Sequence, residues 1–249
     1  MGDAARVTVA VPSLNQGRFL EQALQSIFSQ RVAVEVYVAD AGSTDDTLEV
    51  IRRWESRLLG WRSTVDAGQS SAINEGIARG TAPYVCWLNS DDWWLEGALE
   101  RLLAALDAYP DAAMAYGRAW HFDERTKRMR PVFVRPFRER LMAQLNLIAQ
   151  PATLVRRGAW EAVGGLDETL HMAMDYELWW RLFRRYGAPA FVDAFVAVNR
   201  EHAGTKTGTQ RRAHYREAMQ VVKRHYGRVP LKWWIAQPYA VWYRSIVGR

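Results

Sequence analysis

Along the first ~120 residues the spacing of apolar positions switches between two periods, one that fits strands and one that fits helices. "VTVAV" (7–11), "VEVYVAD" (34–40), the weaker "WRSTV" (61–65) and "YVCWL" (84–88) read as strands. Between them, "RFLEQALQSIFSQ" (18–30) repeats apolar pairs every four residues, at Phe19/Leu20, Ala23/Leu24 and Ile27/Phe28. "STDDTLEVIRRWE" (43–55) opens with hydroxyl and acidic capping types and carries Leu48, Ile51 and Trp54. "SSAINEGIARG" (70–80) reads as a short helix closed by glycine. "LEGALERLLAALDAYP" (95–110) places Leu99, Leu102, Leu103 and Leu106 on one face. Strands alternating with helices predict an α/β fold, a Rossmann-like, mostly parallel sheet flanked by helices.

The second half is less regular. "AAMAYG" (112–117) reads as a strand, and 118–140 as a basic, polar hairpin or loop excursion. Residues 150–170 pass from a short strand to a short helix and a glycine pair. "DYELWWRLFRRYG" (175–187) predicts a helix with a basic outer face and an aromatic inner one, and "AFVDAFVAVNR" (190–200) a strand. From about 205 the chain is basic and helical. No repeat, low-complexity tract or clear linker divides it, so one domain over 1–205, with halves 1–117 and 118–205, and a helical, aromatic and basic extension over 206–249 is the economical expectation.

Composition adds limits. With 249 residues, 49% hydrophobic and 24% charged, the chain fits a globular protein with a sizeable core. The formal net charge of +6 is either a solvated basic surface or a sign of an anionic partner. No nucleic-acid recognition motif accompanies the scattered basic residues, so nucleic acid is not an expected partner. A G-x-G-x-x-G after the first strand is absent, which argues against a dinucleotide dehydrogenase. The single cysteine, Cys86, lies in an apolar strand pattern and reads as a small core residue, pointing to a reducing, cytoplasmic setting. The N-terminus lacks the pattern of a signal peptide, and no stretch approaches the ~20 apolar residues of a spanning helix. The tail "PLKWWIAQPYAVWYRSIVGR" (230–249) mixes Trp, Tyr and basic residues. It suits either peripheral contact with the inner face of a membrane or packing on the domain or on a dimer partner.

Ligands of open parallel sheets collect where the strands end. Here the strands run into Pro12, Ser13, Leu14 and Asn15; into Asp40, Ala41, Gly42 and Ser43; into Asp66, Gly68 and Gln69; and into "NSDD" (89–92). Caps and turns account for several of these polar residues. Asp40 falls before the turn begins, where its carboxylate suits a nucleobase N–H or a ribose hydroxyl. Adjacent Asp91 and Asp92, beside Trp93 and Trp94, repel each other unless a divalent cation joins them, and hard oxygen ligands suit Mn²⁺ or Mg²⁺ bridging to a diphosphate. The alternative is that one of them caps a helix starting at Trp94.

"VAVPSLNQGRFLEQALQSIFSQ", "VADAGSTDDT", "DAGQSSAINEGIARG" and "WLNSDD", followed by "QPATLVRRGAWEAVGGLDETL", "AMDYELWWRL" and "NREHAGTKT", closely resemble the family 2 glycosyltransferases of the GT-A fold, over roughly residues 6–208. The resemblance implies an inverting, metal-dependent transfer of a sugar from a nucleoside-diphosphate sugar, with UDP or dTDP favoured through Asp40, to a saccharide or lipid-linked acceptor. It makes 1–117 the nucleotide-binding half and 118–205 the acceptor-binding half. It assigns Pro12, Ser13, Asn15, Asp40, Gly42, Ser43, Gln69, Asn74, Asn89 and Asp91 to the donor. Asp91, Asp92 and His202 fall to the metal, Asp175 to the catalytic base, and Gly165 and Trp179 to the acceptor side. Two positions depart from the pattern: Asn89 stands for the first acid of the metal motif, and Met174 for a Glu before Asp175. Those departures keep open a catalytically inactive nucleotide-sugar-binding protein of the same fold. Arg200 or Lys206 would help neutralise the leaving diphosphate.

Overall fold

Every residue of β1 (Val7–Ser13) is buried, because helices cover both faces of the sheet at whose centre it lies. In the computed structural model, which describes residues 4–238, β1 leads into α1 (Gly17–Phe28), then β2 (Val34–Asp40), α2 (Thr47–Trp54), β3 (Gly60–Ser63), α3 (Gln69–Arg79) and β4 (Tyr84–Trp87). After these come β5 (Trp93–Trp94), α4 (Ala98–Ala108), β6 (Met114–Asp123), β7 (Arg128–Pro131), α5 (Glu139–Met142), β8 (Thr153–Arg156) and α6 (Arg157–Val163). The chain continues through α7 (Met174–Tyr186), β9 (Ala190–Glu201), α8 (Lys206–Thr209), α9 (Arg211–Tyr226) and α10 (Leu231–Pro238). The part of the tail at 239–249 lies outside the described residues.

The strands form one nine-stranded sheet in the order β3-β2-β1-β4-β8-β6-β9-β5, with β7 paired to β6. Pairing is parallel through β3-β2-β1-β4 and again between β6 and β9. It is antiparallel where β8 joins β4 and β6, and where β5 joins β9. Register shifts between Gly117 and Ala119 break the β6–β9 ladder. The division after residue 117 expected from the sequence therefore falls inside β6.

Alternation along the strands feeds two cores. Val7, Val9, Val11, Val36, Val38, Cys86 and Leu88 pack with α1, α2 and α4 on one face. Val85 and Trp87 face the other, where α3, α6, α7 and α9 supply Ile73, Trp160, Trp179 and Val222. Trp87 stacks on Trp179 at 5.7 Å and meets Trp160 edge-on at 6.0 Å. Trp179, expected on the acceptor side, is 1% exposed and belongs to this core; it presents no ring to a ligand. Gly76 permits α3 to lie on β1, since a Cβ there would stand 2.7 Å from Ala10 Cβ. Burial pushes the Cys86 thiol up, as befits an inert core residue.

Trp93 and Trp94 form a strand, so neither Asp91 nor Asp92 caps a helix there; α4 begins only at Ala98. Trp94 is locked by Ser26 Oγ, which accepts from its backbone N–H at 3.1 Å, and by Pro151 O, which accepts from its indole N–H at 2.8 Å.

Candidate active site

The ends of β1, β2 and β4 open on a cleft of about 670 Å³ that is closed on the other side by residues before α7 and after β9. Of the residues assigned to a site from the sequence, Pro12, Ser13, Gln69, Asn89, Asp91 and Asp175 line it.

Asp40 does not line it. Its side chain is fully buried, and both oxygens are taken: Oδ1 accepts from Ser43 Oγ, and Oδ2 from Gly42 N (3.1 Å), Ser43 N (2.9 Å) and Ser63 Oγ (2.6 Å). Asp40 therefore folds its loop instead of meeting a base. Gly42, at φ 85°, and Ser43 serve the same turn. Ser43 Oγ accepts from Asn15 N at 2.7 Å, and Asn15 Oδ1 accepts from Thr44 N at 2.8 Å, which joins the first two loops. Asn15, Gly42 and Ser43 thus shape the rim from behind. An acid that does reach the cleft beside these loops is Asp66, held by Arg62 at 2.9 Å and by Gly68 N at 2.9 Å.

Side-chain amides tie the floor together. Lys206 Nζ donates to Gln69 Oε1 (3.1 Å), and Gln69 Nε2 donates to Asn89 Oδ1 (2.8 Å). Asn89 Nδ2 donates to Gln150 Oε1 (3.1 Å) and Asp92 Oδ2 (3.2 Å), while Gln150 Nε2 donates to Trp87 O (2.8 Å). An amide at position 89 can donate to Asp92; a carboxylate there would only repel it. Desolvation lowers the pKa of Lys206, and the carboxylates of Asp66 and Asp91 oppose that.

The two adjacent carboxylates part company. Asp92 is 2% exposed and turned toward β9, where Oδ1 accepts from Arg200 N at 2.9 Å and Asn199 Nδ2 at 3.3 Å. Burial, then the charge of Asp91, holds its carboxyl well above the usual range. Asp92 is thus a bracket and not the metal ligand expected. Asp91 faces the cleft, and its Oδ2 lies 3.1 Å from His202 Nε2, whose ring packs 4.9 Å from that of Phe19. Two ligands at right angles on one Mg²⁺ or Mn²⁺, each at about 2.1 Å, stand about 3.0 Å apart, so this pair fits two coordination positions. Among the described residues no group of three His, Cys, Asp or Glu could hold a metal. Arg200, expected to aid the leaving group, is instead enclosed. It donates to Asp91 O (2.9 Å), Glu124 and Gln22, and lies over the rings of Phe19 (4.5 Å) and Trp93 (4.6 Å).

Across the cleft, Asp175 occupies the first turn of α7. Its Oδ2 accepts from Asn146 Nδ2 at 3.1 Å and its Oδ1 from Tyr176 N at 2.7 Å. Burial raises its pKa; the Tyr176 N–H, His214 and Asn146 pull it back. A carboxyl so poised suits a general base. Met174, in place of an acid, accepts a contact from Ser70 Oγ at 2.8 Å through sulfur. From α9, Glu217 Oε2 accepts from the backbone N–H groups of His171 (3.2 Å), Met172 (2.7 Å) and Ala173 (3.0 Å), the open donors at the start of α7.

Two further assignments move. Asn74 faces the glycine loop, donating to Leu166 O (3.0 Å) and Glu168 Oε1 (2.9 Å) and accepting from Leu166 N (2.9 Å); it does not reach the cleft. Gly165, at φ 66°, is the turn of that loop, where a Cβ would stand 2.7 Å from Asn74 Oδ1, and it offers nothing to an acceptor. The sequence gives no sign of Asn146, Gln150 or His214. Only an isolated acid within a basic helix marks Glu217 as unusual.

This architecture is that of the GT-A glycosyltransferases. It overlays Staphylococcus aureus TarS 1–349 in complex with UDP-GlcNAc at a TM-score of 0.71, with 18% identity over 88% of this chain and 66% of that one. It matches the mannosyltransferase PcManGT from Pyrobaculum calidifontis, in complex with GDP-Man and Mn²⁺, at a TM-score of 0.70, with 18% identity over 95% and 72% of the two chains. The family model for glycosyl transferase family 2 matches residues 8–159, and the chain belongs to that family. An uncharacterized glycosyltransferase of Rickettsia conorii is 24% identical over 87% of this chain, and the chondroitin synthase of Escherichia coli is 24% identical over 71%. The chain spans 37% and 26% of those two proteins. Among the described residues no helix is long and apolar enough to cross a membrane.

Proposed function

We propose that the chain transfers a sugar, with inversion, from a nucleoside-diphosphate sugar to a hydroxyl of a saccharide, free or lipid-linked. The observation that carries this reading is that Asp175, its pKa raised by burial, and Asp91, paired with His202, line one cleft. Asp175 takes the proton of the acceptor hydroxyl as its oxygen attacks the anomeric carbon, with Asn146 and the Tyr176 N–H fixing the orientation of the carboxylate. Asp91 and His202 would hold Mn²⁺ or Mg²⁺, which when bound offsets the charge of the departing diphosphate. Lys206 stands at the same mouth as a further cation. No covalent intermediate is required.

Family membership and the likeness to structures that hold UDP-GlcNAc or GDP-Man support a nucleotide-sugar donor. A preference for UDP or dTDP requires Asp40 to read the base. With Asp40 enclosed, Asp66 is the acid placed to accept a base N–H, a role that uridine, thymidine and guanosine all satisfy. Turnover of UDP-, dTDP- and GDP-sugars with Mn²⁺ tests the reading. Asp175→Asn should lower kcat about 10²–10⁴-fold and leave donor binding intact. Wild-type binding of a donor without turnover of any acceptor would instead identify an inactive binding protein.

A further inference from the structure

Helix α10 divides its side chains between the fold and the outside. Trp233 is buried, its indole N–H donates to Ala143 O at 2.8 Å, and its ring lies 6.4 Å from that of Tyr176. Leu231, Trp234 and Ile235 follow the i, i+3, i+4 spacing of another face and are 71, 56 and 67% exposed. The anchor fixes the helix, so this apolar face is presented in a set orientation. Beside it, Pro230 and Leu231 edge a recess of about 520 Å³ that Arg140 and Arg228 also line. Both arginines are exposed, as is Lys232, and neither guanidinium has an ion-pair partner among the described residues.

We propose that this face docks on an anionic membrane surface, with Leu231, Trp234 and Ile235 entering the headgroup boundary and Arg140 and Arg228 receiving a lipid phosphate. Large apolar side chains flanked by cations are what such a boundary accepts: rings and aliphatic chains sit at the edge of the hydrocarbon, and guanidinium groups pair with phosphate. A second copy of the chain fits the face poorly. A two-fold contact would bring each cationic patch against its twin, on a chain already carrying +6. The recess adjoins the site through α5, because the chain runs from Arg140 to Asn146, the residue that holds Asp175. Docking here would set the cleft near a lipid-linked acceptor. That last consequence rests on the sugar-transfer reading; the docking itself does not.

The test is co-sedimentation of the full chain with vesicles of phosphatidylcholine alone and of an equal mixture of phosphatidylcholine and phosphatidylglycerol, at low salt. Wild type should partition to the anionic vesicles, and added salt should weaken it. Arg140→Gln with Arg228→Gln should cut that partition about twenty-five-fold, from roughly five-fold per basic residue near the surface. Leu231→Ser with Trp234→Ser should cut it by at least about ten-fold. Unchanged melting curves show that these surface variants fold. Transfer to a soluble acceptor should be unaltered in both, so loss of docking and loss of the sugar-transfer reading are separate results. Failure to bind anionic vesicles, or binding that both variants retain, overturns the proposal. So does a dimer that the Leu231/Trp234 variant dissociates, which would assign the face to a second copy.

Discussion

At the rim formed by β1 and β2, Asp40 and Asn15 are fixed by neighbours close by in the chain or on the adjoining strand and loop. Asp40 is closed by Gly42, Ser43 and Ser63, and Asn15 meets Ser43 and Thr44. On the α7 wall, the decisive carboxylate draws its neighbours from far away. Asn146 reaches Asp175 from the loop after α5, and Glu217 reaches the start of α7 from α9. The Asp40 and Asn15 loops are thus a scaffold closed on itself, while the buried Ser13 hydroxyl has no partner among the described residues. The wall is assembled by tertiary contacts, and its chemistry depends on elements that touch no ligand. Lesions at the two places should therefore differ in kind: loss of fold at the rim, loss of rate at the wall.

The largest effect after removal of the base is expected at Arg200. It is 6% exposed and bonded to Asp91 O, Glu124 and Gln22 between the rings of Phe19 and Trp93. Arg200→Ala leaves Asp91 O, Gln22 and the partly exposed Glu124 without their donor and should cost about 3 kcal/mol of unfolding free energy. Urea midpoints measure it. A loss under about 1 kcal/mol would mean that the fold around Asp91 does not depend on Arg200.

Glu217 offers the complementary experiment. Glu217→Ala strips an anion from three backbone donors at the start of α7 and should cost about 1.5–3 kcal/mol. The sharper expectation is kinetic. Asp175 lies two residues after Ala173, so kcat should fall while KM for the donor holds, and Glu217→Gln, which retains an acceptor oxygen, should recover part of it. An unchanged kcat with lower stability would leave Glu217 a structural cap only.

This contrast also explains what could be read from the residues alone. Strands and helices over 7–108 are legible because period and capping are local properties, and the motif spacing carries the family likeness with them. Asp91 and Asp175 are legible for the same reason. Asp40, Asp92 and Arg200 read as ligand contacts because a polar residue at a strand end looks the same whether it faces a cleft or a neighbouring loop, and Asn74 because a polar position on a helix carries no sign of which loop it meets. Which way it turns is decided by partners such as Ser63 and the β9 residues Asn199 and Arg200, up to 108 residues away. Trp179 misled for the same reason: its stacking on Trp87 is a contact across the core that no helical period encodes. Asn146 leaves no local trace, and Glu217 only that of a lone acid in a basic helix.

The smallest expected effect is also the most specific. Asn146 Nδ2 donates to the Asp175 carboxylate and opposes the rise in pKa that burial imposes. Asn146→Ala should raise that pKa further. A general base acts only when ionised, so the acidic limb of kcat against pH should move to higher pH, with rates converging on wild type well above the limb. The stability consequence has a definite sign. A carboxyl whose pKa is raised on folding contributes fully below the unfolded value, about 3.9, and loses that contribution as pH rises through the folded value. The variant should therefore lose more stability at neutral than at acid pH. Paired pH–rate profiles and urea melts decide it: a limb that stays in place, or moves toward acid, would show that Asn146 does not govern Asp175 and that the α7 wall is set by the helix alone.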